Sequence, residues 1–350
     1  MAIAKKVSGF SIYRSIALVA AALVLSAAGT GTTLARTKIT VGRTPGGSGF
    51  HIPYYVAMEK GFFAKEGLDA TFVPMGGKAL VTAGIGGAVD FVPIPGGGVI
   101  ASLHGAKLRF VVNGSKISQW TLVVPKSITK VEQIKGKTCG FGRPGSASYD
   151  EGAITLRQFF HMQVGRDYNV ISFQAEPPVL AAMINGNVTC GLLTIPNAAK
   201  AIKAGFHILL RTGDYLPRLG PCWVTEKYYE NNKDTVRRFI RAVAKAEQYF
   251  AHNKSETVPI IQKYFGIKDP SQAGIIWDQL HNEYGPDISE SLFAELYEGR
   301  IKALQGRGLW PKNKPAPDYQ SYVARNMLTS VLRDMGYYLQ APPKIQGRMK

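Results

Sequence analysis

The sequence predicts an α/β protein made of two similar units followed by a helical C-terminal region. Three observations carry that expectation. Short apolar, β-prone runs alternate with segments of helical period from residue 38 onward. The alternation breaks at a strand-like segment near residue 119 and starts afresh at residue 137. Beyond residue 226 apolar residues recur at three- and four-residue steps, with no further strand signal. The 350 residues are 45 % hydrophobic and 19 % charged, enough apolar material for one or two buried cores.

In the first unit, Lys38–Gly42 is predicted as a strand and Thr44–His51 as the loop after it. A short helix starts at Pro53, where the missing N–H costs nothing in a first turn. Tyr54, Ala57 and Met58 give that helix an apolar face. Gly61 suits a left-handed stop, and Gly67 punctuates the turn before a strand at Ala70–Pro74. Gly76-Gly77 leads to a helix at Lys78–Ile85, and Ala88–Ile94 reads as a third strand. Gly96-Gly97-Gly98 precedes a helix at Val99–His104, and Leu108–Val112 is a fourth strand. Gln119–Val124 is a strand leaving this unit.

The second unit repeats the order. Lys137–Gly142 is predicted as a strand, Tyr149–Met162 a helix, Tyr168–Gln174 a strand and Pro177–Ile184 a helix. Val188–Thr194, the helix Asn197–Ala204 and the strand His207–Arg211 complete it, and Cys222–Thr225 returns to the first unit. Strands alternating with helices imply parallel sheets covered on both faces. The remainder is helical: Val236, Phe239, Ile240, Val243, Ala246, Tyr249 and Phe250 mark one buried face. Leu292, Phe293, Leu296, Tyr297, Ile301 and Leu304 mark another, and Gln320–Met335 is a last helix.

The run Pro53-Tyr54-Tyr55-Val56-Ala57-Met58-Glu59-Lys60-Gly61-Phe62-Phe63-Ala64-Lys65-Glu66-Gly67-Leu68-Asp69 resembles the first helix of ABC-transporter solute-binding proteins of the nitrate/sulfonate/taurine class, the NMT1-like family. The likeness covers roughly Lys38 to Phe265. It implies the two-lobed type II periplasmic-binding-protein fold, with two crossover strands acting as a hinge. Residues 36–120 and 223–350 would form one lobe and residues 121–222 the other.

Residues 1–35 read as an export signal. Lys5, Lys6 and Arg14 precede the apolar run Ile16–Ala28, and Thr33-Leu34-Ala35 ends on a small residue. That run is shorter than the roughly 20 residues needed to cross a bilayer. Its removal lowers the formal net charge from +18 to +15. The basic residues are scattered rather than blocked, which suits a solvated surface with a tilt toward anionic ligands and does not suit nucleic acid. Cys139, Cys190 and Cys222 are expected as three free thiols, the first two inside apolar strands. Their spacing suggests no metal site, and no cofactor motif is present.

The loops after the strands are the candidate site. Glycines permit close approach, and a helix start offers unpaired N–H groups to an anion. Ser48 and His51 lie in the first such loop, Gly76 and Gly77 in the second, and Pro95 and Gly96 in the third. The second unit contributes Arg143, Ser146, Ser148 and Tyr149, in a strand–loop–helix that is the strongest signal by itself. Asn113 and Thr194 end strands beside these loops.

The resemblance implies a binding protein without catalysis that captures a small organic anion (a sulfonate, taurine, nitrate or a carboxylate). It would act as a monomer in the periplasm and hand its solute to an ABC permease in the inner membrane. The alternatives are a pyrimidine-precursor binding protein or enzyme on the same fold, or the receptor of a tripartite transporter. Neither a Gly-x-Ser-x-Gly elbow nor a His-Glu-x-x-His site is present to support catalysis. Mass spectrometry of exported material is expected to find the mature N-terminus near Arg36. An N-terminus at Met1 would contradict the export signal.

Overall fold

The computed structural model describes Met1 and residues 35–216, 219–306 and 308–337. Apart from Met1 and Ala35, the expected export signal lies outside the described residues. The chain divides into the units Met1–Arg36 and Thr37–Lys350, and the second holds every element below. It opens with β1 (Thr37–Arg43), α1 (Ile52–Glu59), α2 (Phe62–Lys65), β2 (Leu68–Pro74), α3 (Gly77–Ile85), α4 (Pro95–Leu103) and β3 (Leu108–Val112). Next come β4 (Trp120–Pro125), β5 (Thr138–Phe141), α5 (Ala147–Phe160), β6 (Asn169–Ser172), α6 (Glu176–Ile184), β7 (Cys190–Thr194), α7 (Ile195–Lys203) and β8 (Phe206–Arg211). After β9 (Cys222–Thr225) the chain is helical. It runs through α8 (Glu226–Asn231), α9 (Lys233–His252), α10 (Lys254–Phe265), α11 (Pro270–Leu280), α12 (Glu290–Gly306) and α13 (Arg325–Asp334).

Two sheets form, and they share one strand order. In the second, β6-β5-β7-β4-β8, the crossover strand β4 runs antiparallel between β7 and β8. In the first, β2 pairs with β1 and β3 pairs with β9, and residues 91–92 join the pairs. Phe91 bridges to Val41 and Val92 to Trp223. The crossover strand β9 is antiparallel here as well. Each sheet therefore takes one strand from the other half of the chain, and each is mixed rather than wholly parallel.

Three expected elements differ. Ala88–Ile94 makes isolated bridges instead of a strand, because Pro93 and Pro95 lack N–H groups and end the pairing at once. Gly96, Gly97 and Gly98 lie inside the first turn of α4 rather than ahead of it. A Cβ on Gly98 would stand 2.5 Å from the Trp223 ring, so glycine there admits a buried tryptophan. The last helix is split: Val323 bridges to Phe110 and the Ala324 N–H donates to the Phe110 carbonyl at 2.9 Å. Gly61, at φ 68°, is the expected left-handed stop. The helix before it buries Tyr54, Tyr55, Val56 and Ala57 together, so α1 is enclosed all round rather than amphipathic. It lies against α9, with Tyr54 stacked on Phe239.

The C-terminal helices reach both halves. On α12, Phe293 and Tyr297 pack on Phe110 of β3, and the Tyr297 hydroxyl meets the Ser102 hydroxyl at 2.6 Å. On α11, Gln272 donates to the Ala199 carbonyl of α7 at 2.9 Å. Between these helices, residues 283–286 lace the two crossovers together. The Asn113 side-chain amide donates to the Gly285 carbonyl and accepts from the Gly220 N–H, both at 2.8 Å. The Lys116 N–H donates to the Glu283 carbonyl, also at 2.8 Å.

The cysteines correct an expectation. Cys139 and Cys190 are directly opposed on β5 and β7, with Cα atoms 4.4 Å apart, and form a disulfide. Separation of 51 residues in sequence concealed the pair. Cys222 is free and buried. Thiol titration of denatured, non-reduced protein is expected to count one thiol; a count of three would remove the bond.

Candidate functional site

A cavity of about 500 Å³ lies between the carboxyl-end loops of the two sheets. Four helices start on its wall. Gly77 of α3, Pro95 and Gly97 of α4, Ala147 and Ser148 of α5, and Glu176 of α6 all line it. The first N–H groups of a helix have no partner within the helix, and the aligned peptide dipoles leave that end partly positive. Three of these ends, on α3, α4 and α5, carry free N–H groups and make the space favourable to negative charge, whereas α6 opens Glu176-Pro177-Pro178 and its prolines have none to offer.

On α5, the Ser146 hydroxyl caps the helix by accepting from the Tyr149 N–H at 3.3 Å. The Ser148 hydroxyl accepts from the Gly142 N–H at 2.8 Å, which leaves its own proton to donate. Arg143 lines the same wall. With the Gln174 amide oxygen turned toward the guanidinium, that oxygen accepts from Arg143 Nε at 2.9 Å and holds it beside the cavity. The remaining surface is mainly apolar, with Phe50, Val81, Ile94, Ile100, Trp120 and Phe173 among its members.

Two seams close the space. At one, the Glu176 carboxylate accepts from the Thr194 N–H at 2.7 Å, from the Thr194 hydroxyl at 2.8 Å and from Asn197 Nδ2 at 2.8 Å. The Thr194 hydroxyl oxygen in turn accepts from the Gly49 N–H of the first half at 3.3 Å. Tyr284 donates to the Gly49 carbonyl at 2.7 Å from the third side. Burial pushes the Glu176 carboxyl above its usual range, against the pull of these donors. At the other seam, Arg300 of α12 forms a buried ion pair with Asp150 of α5 and donates to the Gly145 carbonyl at 3.3 Å. The C-terminal helix thus reaches the loop that carries Arg143 and Ser146.

Of the residues expected from sequence, Ser48, His51, Gly77, Pro95, Arg143, Ser146 and Ser148 line the cavity. Gly76, Gly96, Asn113, Tyr149 and Thr194 do not. Gly76 caps α3 from outside, and Asn113 is committed to the crossovers. Tyr149 turns to the Phe141 ring, and Thr194 serves the Glu176 seam. Gly96 faces Arg300 and Ala147, where a Cβ would be 3.2 Å from Arg300 Nη2. Gly46 similarly admits Pro177, and Gly49 admits Gln119. These glycines make room for protein across the seam.

Glu151, Phe173, Gln174 and Glu176 line the cavity unforeseen. The rule that ligands gather beyond strand ends pointed to Phe173 and Gln174, which follow β6 directly. Glu151 accepts from the Ser118 hydroxyl of the first crossover, a pairing no local pattern announces.

His51 is 2 % exposed, and burial together with the nearby Arg43 charge lowers its pKa to about 3. Its Nδ1 has no hydrogen-bond partner. The Ser48 hydroxyl faces Glu176 without a well-formed hydrogen bond.

Residues 49–257 match a family described as NMT1/THI5 like. YtlA of Bacillus subtilis (strain 168), named as a binding protein, is 26 % identical over 251 residues, 68 % of this chain and 75 % of its own length. The solved alkanesulfonate-binding protein SsuA of Xanthomonas axonopodis pv. citri, bound to MOPS, superposes with a TM-score of 0.69 at 15 % identity. It covers 82 % of this chain and 98 % of its own. The periplasmic nitrate-binding protein NrtA of Synechocystis PCC 6803 gives 0.70 at 13 % identity, over 89 % and 92 %. These structures establish the two-lobed periplasmic-binding-protein fold.

Because the His51 pKa is depressed on folding, neutral His51 contributes stability above pH 6.5 that is lost as pH falls toward 3. The loss is about 1.4 kcal/mol per pH unit for one such group. Melting curves at pH 7 and pH 4.5 are expected to show a smaller acid loss for His51→Gln than for the unaltered protein. Equal losses would contradict a buried neutral ring.

Proposed function

As the chain belongs to the NMT1/THI5-like family, we propose that it is the exported solute-binding component of an ABC importer. It captures a small organic anion between two lobes hinged at residues 113–119 and 219–221, then delivers it to a membrane permease. The observation that carries this reading is the convergence of three N–H-bearing helix starts, those of α3, α4 and α5, with Arg143 and two serine hydroxyls on one cavity. An acidic group there replaces its lost hydration with fixed N–H and O–H donors, and the guanidinium adds charge-assisted hydrogen bonds. Ser48, His51, Gly77, Pro95, Arg143, Ser146 and Ser148 are the proposed contacts.

Binding from both lobes favours the closed arrangement, because a solute touching only one lobe has no reason to shift the equilibrium. The apolar wall selects a solute with a carbon body rather than a bare inorganic ion. The match of sulfonate- and nitrate-binding proteins in fold supports the anionic class.

A thermal-shift screen of sulfonates, carboxylates, nitrate and pyrimidines tests the reading. Organic anions are expected to raise the melting temperature by several degrees, since binding only the folded state stabilises it. Arg143→Met and Ser148→Ala are expected to weaken the best binder about tenfold or more, with little change in the unliganded melting temperature. Stabilisation by pyrimidines alone would overturn the anionic reading.

A further inference from the structure

The cavity is larger than the smallest organic acids need. Its volume of about 500 Å³ equals on the order of 17 waters at ~30 Å³ each. A two-carbon sulfonate fills roughly a third of that room. The two halves already touch on both flanks, so bringing them closer does not remove the surplus. On one flank the Gly49 N–H donates to the Thr194 hydroxyl oxygen at 3.3 Å, and on the other Arg300 donates to the Gly145 carbonyl at 3.3 Å.

The wall around the surplus is apolar and accessible. Phe50, Val81, Ile94, Ile100, Ala101 and Phe173 all line it, and each is half-buried rather than sealed behind other side chains. Three of them form one strip along α3 and α4. Val81 and Ile94 close over Gly97, where a Cβ would stand 2.3 Å from Val81 Cγ2 and 3.3 Å from Ile94 Cγ2. One helical turn on, Ile100 Cδ1 would lie 3.2 Å from a Cβ on Gly145. Gly145 sits between Arg143 and Ser146, so the strip leads from α3 to the loop proposed to hold the acidic group. Lys78, Arg143 and Gln174 also line the cavity and are exposed, which sets its mouth between the start of α3 and that loop.

We propose that the solute is an organic acid with a bulky apolar body, about six to ten carbons or two fused rings in size. This rests on the anion reading of the same cavity and deepens it by naming the size class. The acidic group is held at α5 and Arg143, and the body lies along Ile100, Ile94 and Val81. A nitrate- or taurine-sized anion would leave that strip uncovered. Water covers it poorly, because an ordered water needs two to four polar partners and the strip offers none. Space left without atoms forfeits the dispersion contacts of its lining. Each methylene laid on the strip instead leaves water for an apolar surface. Selection by size follows from the wall, and selection by charge from the helix starts.

A length series separates this from the reading it rests on. Calorimetric titrations would compare ethanesulfonate, butanesulfonate, hexanesulfonate, octanesulfonate and decanesulfonate, the matching alkanoates, and 1-octanol. Each added methylene is expected to tighten binding about threefold to fourfold as far as octanesulfonate. The gain is expected to stop by decanesulfonate, where the chain passes the mouth. The heat-capacity change on binding is expected to grow more negative over the same range, as apolar burial requires. Naphthalene-2-sulfonate is expected to bind tenfold or more tightly than benzenesulfonate. Ala101→Phe adds a ring beside the strip and is expected to move the optimum to shorter chains, and Ile100→Ala to longer ones. The series on the unaltered protein decides the matter even where a variant fails to fold. Affinity that stays flat or falls from ethanesulfonate to octanesulfonate would overturn the bulky solute while leaving the anion reading standing. 1-Octanol binding as tightly as octanesulfonate would overturn the anion reading, and the proposal with it. A panel in which no acid of any length binds would overturn both.

Discussion

Four helices begin at one cavity because each follows directly on a strand, or on the bridge segment at residues 91–92, whose carboxyl end faces the other half of the chain. That constraint of βα order fixes the polarity of the site before any side chain is considered. A helix entering from its N-terminus brings a partial positive charge and, on α3, α4 and α5 though not on the proline-led α6, unpaired N–H groups. Reversing any one of these connections would bring carbonyl oxygens instead. The two sheets repeat the device because they share a strand order and exchange one strand each, β4 and β9.

What keeps the halves apart by one cavity, and no further, is a pair of seams with different chemistry. The Glu176 seam is a set of directed hydrogen bonds onto a glycine backbone. The Arg300–Asp150 seam is a buried ion pair, strongly destabilising to break from one side because the remaining charge has lost its water. Both depend on glycine. At Gly46 and Gly49 a methyl group would collide with Pro177 or Gln119, and at Gly96 it would crowd Arg300. Residues 283–286 brace the crossovers, so the C-terminal region belongs to the hinge as much as to the outer shell.

Much of this was legible in sequence. The alternation of apolar runs with helical-period segments located both units, and Gly61 and the strand Cys222–Thr225 fell where expected. What escaped was non-local. Cys139 and Cys190 read as two unrelated buried residues because only the β5–β7 pairing brings them together. Thr194 and Asn113 looked like loop residues open to a ligand, whereas partners up to 172 residues away hold them. The glycine-rich loops suggested close approach, and that was sound. The approaching group at several of them is protein. The unforeseen Phe173 and Glu176 follow the same strand-end logic as the loops that were foreseen, but lack the glycine and serine that drew attention there.

The most direct measurement is a crystal structure of the exported protein grown with the organic acid that stabilises it most. The account predicts the acidic group against the first N–H groups of α5, within hydrogen-bonding distance of Ser148 and Arg143, and enclosed by both sheets' loops. A ligand bound on an outer surface would contradict it. So would a ligand inside the cavity whose acidic group points away from the helix starts.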